Sequence, residues 1–447
     1  MRLLMLTLLL CSSILACGQS FDKAKLDQYL TSLEKHDKVM LSLALFKDGE
    51  PIYQRAIGYA ATETEQKADI NTQYRIGSIT KVFTAVLIFQ LIEEGKLTLN
   101  TPLSEYYPGV KNADQITISH LLSHRSGIHN FTNTPGFLAF MQSPKTKAEM
   151  LQYIEGMDSD FAPDSNARYS NSAYVLLGFI IEDLTGLSYA EAVDARIVKK
   201  LNLEKTRYGT EIKPTENQAK PYRFNFGGWT PSTVTDMTVP GGAGALISTP
   251  TDLGHFYHAL FHEQLVTQAS LNLMKEINQG YGRGLFNVPF WGKTGIGHNG
   301  GIDAFVSNSL HFEAEGLTIA YTANGVNMVL NDFLIGVLSI YFNRPFTLPD
   351  FDAEPITLSA KTLAKYQGVF TSNDLPIKIT LELKGEQLIA QATGQGPIPL
   401  TPFSETEFRY EQAGINITFT KEGKKMDYGT FTLKQGSGKF TFTKEGN

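Results

Sequence analysis

Ile76-Gly77-Ser78-Ile79-Thr80-Lys81-Val82-Phe83-Thr84-Ala85-Val86-Leu87-Ile88-Phe89-Gln90-Leu91-Ile92 carries one charged side chain, that of Lys81. A helix that is apolar nearly all round is buried within its domain. An ammonium buried with it is costly unless it is paired or gives up its proton. A lysine in that setting can serve as a base. Ser78 lies three residues earlier and shares a helix face with it. Gly77 permits a tight turn into the helix, whose N-terminus favours developing negative charge. The same Ser-x-x-Lys spacing occurs at Ser20/Lys23 and Ser32/Lys35, at the chain's start and on a charged helix surface. Spacing alone therefore decides nothing, and the local pattern also fits a serine N-cap with a snorkelling lysine. The apolar surroundings single out Ser78 and Lys81.

Working outward, Leu26, Tyr29, Leu30 and Leu33 repeat at helical spacing, which predicts an amphipathic helix within 21–37. Two apolar runs, 40–46 and 52–57, flank Asp48-Gly49, a hairpin signature. A helix-rich stretch follows over about 78–270, and strand patterns return at 304–312 and 317–321. Strands at both ends of a helical middle predict one antiparallel sheet with a helical subdomain, an α+β fold rather than a βαβ series. Pro345, Pro349 and Pro355 mark a break. Beyond it, alternating runs at 377–383, 387–392, 415–419 and 430–433 predict a small all-β barrel or sandwich. The expected divisions are 21–344, a linker at 345–357, and 358–447.

The chain has 447 residues, 42% hydrophobic and 19% charged, with a formal net charge of −6. This is a globular composition without the basic footprint of nucleic-acid binding. Residues 1–20 have Arg2, an apolar run from Leu3 to Leu10 and small residues to Cys17, the pattern of a secretory leader. Ile14-Leu15-Ala16-Cys17 resembles a bacterial lipobox. Two readings stay open: lipidation of Cys17, which would be the sole membrane anchor, or plain cleavage. Either implies an exported protein of the periplasm or outer envelope. Cys11 and Cys17 are the only cysteines, so the mature fold is expected to lack disulfides, a thiol nucleophile and cysteine-held metal.

Two further segments carry candidate chemistry. Tyr169-Ser170-Asn171 precedes an apolar helical run at 173–184. A tyrosine there is placed to share a proton with Lys81, and Asn171 to position the lysine and a substrate amide. Ser170 or Asn171 as a plain N-cap explains the segment equally, and Tyr341-Phe342-Asn343 has the same spacing. Gly297-His298-Asn299-Gly300-Gly301 precedes the strand at 304–312. Its glycines allow close approach of a ligand backbone, and the amide of Gly301 can pair with that of Ser78 as an oxyanion hole. Lys293-Thr294-Gly295 competes for this role, and an ordinary glycine turn explains either segment. His255, His258 and His262 share helical spacing without a recognised metal-ligand pattern, so no metal or cofactor is expected. Gly-x-Ser-x-Gly is absent.

The order of these segments resembles the β-lactamase and penicillin-recognising serine hydrolase family, in its class C-like, D-aminopeptidase and esterase branch. The resemblance spans roughly residues 25–340. It includes Leu121-Leu122-Ser123-His124-Arg125-Ser126-Gly127-Ile128, and Gly241-Gly242-Ala243-Gly244 through Thr251-Asp252-Leu253. It implies Ser78 as nucleophile, Lys81 and Tyr169 as the proton-handling pair, and Asn171, His298, Asn299, Gly300 and Gly301 as substrate and oxyanion groups. Gly301-Ile302-Asp303-Ala304-Phe305 fits the family's continuation after His298-Asn299-Gly300, whereas Lys293 lies too early for it. The resemblance therefore implies a peptidase or esterase acting on a small peptide, ester or β-lactam-like substrate, rather than a dedicated β-lactamase. The tail is similar to lipocalin-like domains appended to such hydrolases. A weakly catalytic β-lactam- or peptidoglycan-binding envelope protein is the competing expectation. Loops at 130–165 and 207–240 are expected to shape the pocket through Phe131, Phe137, Phe140, Tyr208, Tyr222, Phe224, Phe226 and Trp229.

Overall fold

The computed structural model describes residues 21–423, 425–435 and 438–446. The leader and lipobox read from residues 1–20 lie outside the described residues. Contacts gather Thr31–Met328 into one compact unit, and Val329 onward with the described residues up to Leu30 into another.

The predicted first helix is α1 (Lys23–Lys35). It is followed by β1 (Val39–Lys47) and β2 (Glu50–Ile57). Their turn places Asp48 at φ 51° and Gly49 at φ 88°, two left-handed residues in succession, as a tight hairpin demands. β1 is buried along all but its last residue, which explains its continuous apolar run in place of alternation. The lysine-bearing segment forms a 3₁₀ turn at Gly77–Ile79 and then α2 (Thr80–Glu93). The second apolar helix is α3 (Asn171–Thr185), capped by Ser170 and closed by Gly186 at φ 69°. A projecting hairpin, β3 (Tyr222–Asn225) and β4 (Gly228–Pro231), precedes α4 (Pro250–Phe261). Four strands complete the sheet: β5 (Phe286–Phe290), β6 (Lys293–Ile302), β7 (Phe305–Phe312) and β8 (Leu317–Val326).

The sheet order is β5-β6-β7-β8-β1-β2, antiparallel throughout, with β3 added in parallel at the end of β8. Leu45 of β1 faces Ile319 of β8, so the earliest strands close against the last. The core beside the sheet is built on α2, with Phe83 stacked on Phe256 of α4 at 3.8 Å between ring centres. This is the predicted α+β architecture. On α4, His255 lies edge-on to Phe46, and the rings of His258 and His262 are 3.9 Å apart. Among the described residues no three His, Cys, Asp or Glu side chains converge as a metal site would require.

The second unit contains α5 (Leu330–Tyr341), whose Phe333 stacks on Tyr29. Its β strands are β9 (Gly368–Thr371), β10 (Lys378–Lys384), β11 (Gln387–Ala392), β12 (Ile398–Pro402), β13 (Glu407–Tyr410), β14 (Ile415–Glu422), β15 (Lys425–Gln435) and β16 (Gly438–Lys444). Each pairs with the next and β9 pairs with β16, closing an up-and-down barrel. Of the two expected forms, the barrel is the one adopted. Tyr366, Phe370, Phe408, Phe419, Phe431 and Phe442 pack with aliphatic side chains in its buried core.

Candidate active site

Ser78 opens the turn into α2. Gly77 before it has φ 49°, and a Cβ there would fall 2.9 Å from both the amide nitrogen and the carbonyl oxygen of Gly301. Glycine is thus required for backbone conformation and for contact with β6. That contact sets Ser78 beside Gly301, the pair expected to frame an oxyanion.

One turn into the helix, Lys81 is fully buried. Its Nζ has three partners: Asn171 Oδ1 at 2.7 Å, the Ala243 carbonyl at 2.7 Å and Ser78 Oγ at 3.1 Å. No carboxylate is among them, so burial alone sets its proton affinity and holds it well below an ordinary lysine. A neutral amine has two N–H donors and one lone pair. The two short contacts are to oxygens that can only accept, so on losing its proton the amine would turn its lone pair to Ser78 Oγ, the contact that the ammonium donates.

Tyr169 stands at the end of the loop before α3, with its ring 4.8 Å from Lys81 Nζ. Burial raises its pKa above the usual phenol value, and the neighbouring Ser78 hydroxyl opposes that shift. The two groups are displaced in opposite directions, the amine toward its neutral form and the phenol toward its protonated one. Asn171 Nδ2 donates to Asn130 Oδ1 and Thr132 Oγ1 at 3.2 and 3.3 Å, which directs its oxygen at Lys81.

His298 is buried on β6, and its ring centre is 4.4 Å from Phe286 and 6.3 Å from Tyr169. Gly300 shares its strand face and abuts the Ile76 carbonyl, where a Cβ would lie 2.0 Å away. Asn299 lies on the opposite face and is exposed. Lys293, five positions before His298, also falls on the opposite face and pairs with Glu315. Strand alternation therefore separates the two third-motif candidates and leaves only the histidine beside Tyr169.

Burial pushes the His298 pKa down to about 3 and holds His124 well below normal. Both imidazoles fold neutral, while the unfolded chain takes up their protons below about pH 6.5. Stability is therefore expected to fall as pH drops from about 6.5 toward 3. His298→Gln should flatten that decline, as denaturation midpoints at pH 7 and pH 4 would show; an unchanged decline would refute this protonation state.

A cavity of about 650 Å³ opens beside the serine, lined by Ser78, Asn171, Gly301, Phe131, Phe137, Leu138, Met141, Val239, Arg223 and Asp303 among others. Its size suits a small-molecule site. Lys81, Tyr169 and His298 lie outside its wall. Of the expected aromatics, Phe131 and Phe137 line it. Phe140 instead stacks on Tyr153, Tyr208 donates to the Met237 carbonyl, and Tyr222 hydrogen-bonds Glu63. Phe224 packs on Trp229, and Phe226 is wholly exposed at the hairpin turn. Their sequence neighbourhood was correct, but side-chain direction within the loops is not periodic.

Several site groups carried no sequence signal of their own. Ala243 acts through its carbonyl, and Asn130 through a bond to a residue far along the chain. His124 lies within the 121–128 segment, whose pattern gives the histidine no role of its own. Its Nδ1 accepts from the Ser170 amide at 3.2 Å, its carbonyl accepts from Arg168, and its ring lies 4.4 Å from that of Tyr169. It therefore fixes the loop that presents the tyrosine.

Arg75 and Asp303 form a buried ion pair at 3.0 Å, with side-chain exposures of 4% and 0%. Asp303 also accepts from the Thr235 amide and hydroxyl, which ties the pocket floor together. Asp303→Ala should cost at least about 3 kcal/mol by stranding the guanidinium. Urea denaturation measures it, and a loss under 1 kcal/mol would deny the pair that role.

The family model described as Beta-lactamase matches residues 26–333. The chain is 27% identical to "Penicillin-binding protein 4*" of Bacillus subtilis (strain 168), over 87% of this chain and 91% of that protein. It is 30% identical to "Teichoic acid D-alanine hydrolase" of Staphylococcus aureus over 52% of this chain, about half (55%) of that relative's length. The structure of D-amino acid amidase from Ochrobactrum anthropi SV3 with D-phenylalanine superposes at a TM-score of 0.63, with 27% identity, over 72% of this chain and 99% of that one.

Proposed function

Because this chain belongs to the Beta-lactamase family, we propose that it is a serine hydrolase that cleaves an amide or ester of D-amino-acid type through an acyl-enzyme. One observation carries the reading: Lys81 is buried without a carboxylate, with two acceptors for its N–H groups and its remaining contact on Ser78 Oγ. In this scheme Lys81 takes the Ser78 proton as Oγ bonds to the substrate carbonyl carbon. The amides of Ser78 and Gly301 hold the oxyanion. The proton passes by way of Tyr169 to the leaving nitrogen or oxygen as its bond to carbon breaks. Water then adds to the acyl carbon, gives its proton back through the same pair, and releases the acid and free Ser78.

The apolar cavity wall and relatives named as a teichoic acid D-alanine hydrolase and a D-amino acid amidase support this substrate class. With the leader read from residues 1–20, the enzyme would work in the cell envelope. A fluorophosphonate probe followed by peptide mass spectrometry tests the reading. One adduct on Ser78 is the expected result. Absence of any adduct with fluorophosphonate, penicillin or activated esters would instead favour a binding protein.

A further inference from the structure

Only two residues of charged type line the cavity beside Ser78, Arg223 and Asp303, and the Asp303 side chain is itself buried. Asp303 is neutralised from behind by Arg75 and saturated by Thr235. Arg223 is not compensated. Its Nη2 donates to the Asp303 carbonyl at 3.2 Å and its Nε to Ser232 Oγ at 3.3 Å, both uncharged acceptors. Among the described residues it has no ion-pair partner. An exposed arginine is ordinarily a solvated surface group. This one differs because two hydrogen bonds hold it at the cavity wall and its strand, β3, pairs with β4 and β8. A guanidinium fixed in this way loses little freedom on meeting a planar anion. Ser232 lines the same wall and accepts from Arg223, which leaves its own hydroxyl proton for a ligand.

The cavity also has a direction. On the proposed mechanism the leaving group departs toward Tyr169, which does not line this cavity, whereas Asn171 and Gly301 do. The space therefore receives the acyl part of the substrate. We infer that Arg223, with Ser232, is a carboxylate-binding subsite that selects acyl groups bearing a negative charge at their far end. The apolar wall from Phe131 to Met141 accommodates the chain between. This deepens the hydrolase reading and rests on it for the direction of the substrate.

The test uses p-nitrophenyl esters with one leaving group and acyl chains of graded length, each ending in a carboxylate or in the matching carboxamide. The readout is the ratio of kcat/KM for carboxylate over carboxamide, in which general losses of activity cancel. We expect a ratio of at least tenfold at one preferred length, carried in KM and reduced by added salt. Arg223→Gln should bring it to within about twofold of unity, and Arg223→Lys should keep part of it. A wild-type ratio near one at every length, or a ratio that survives Arg223→Gln, would overturn the subsite. Calorimetric binding of dicarboxylic acid monoamides against the diamides reads the same preference without turnover. Binding preference without acylation of Ser78 would sink the hydrolase reading and leave the subsite standing.

Discussion

Ser78→Ala is expected to lower kcat/KM on any amide or ester substrate by about 10⁴-fold or more, and to abolish the covalent adduct. The scale follows from removing the atom that forms the intermediate; the oxyanion groups and the binding cavity then supply only residual acceleration. The hydroxyl contributes a hydrogen bond with Lys81 but little buried surface, since Ser78 is only partly covered. The stability change should therefore stay within about 1 kcal/mol. Single-turnover kinetics with a chromogenic ester, alongside a denaturation curve, separates the two effects. Full activity in the alanine variant would place the nucleophile elsewhere.

The second large effect belongs to Lys81. Lys81→Met should cost about 10³- to 10⁴-fold in acylation, the upper part of the range for a lost general base. Tyr169→Phe should cost about a hundredfold. The double variant should be little worse than Lys81→Met, because the two groups handle one proton. The lysine also leaves a mark on stability that a merely structural cation would not. Its proton is released in the native state at a pH where the unfolded chain still holds it, up to about 10.5. Wild-type stability should therefore fall as pH drops from about 10.5 toward the value of the buried amine, and level off below it. That slope should vanish in Lys81→Met. A slope retained in the variant would assign it to other groups.

The parts of this site that a reader of the sequence can find are those that break a local rule. Lys81 is conspicuous as the lone charge in an apolar helix, and Asp48-Gly49 stands between two apolar runs. The barrel strands announce themselves by alternation. What stays hidden depends on long-range encounters or on backbone atoms. Arg75 looks like any arginine until the fold brings Asp303 to it. The Ala243 carbonyl has no side chain to betray it. β5 contains Pro289, which argues against a central strand, and it lies at the sheet edge, where that proline is tolerated. That Lys293 and His298 share one strand and fall on its opposite faces is readable only once the strand's limits are known.

The closure of β1 against β8 sets the order of events when the chain first acquires its shape. The β1–β2 hairpin is made early, yet β1 keeps one long apolar edge without a partner until almost the whole hydrolase region has been synthesised. Such distant pairing slows folding and leaves an adhesive strand waiting. Refolding from denaturant should accordingly be slow, and most prone to aggregation before β8 docks.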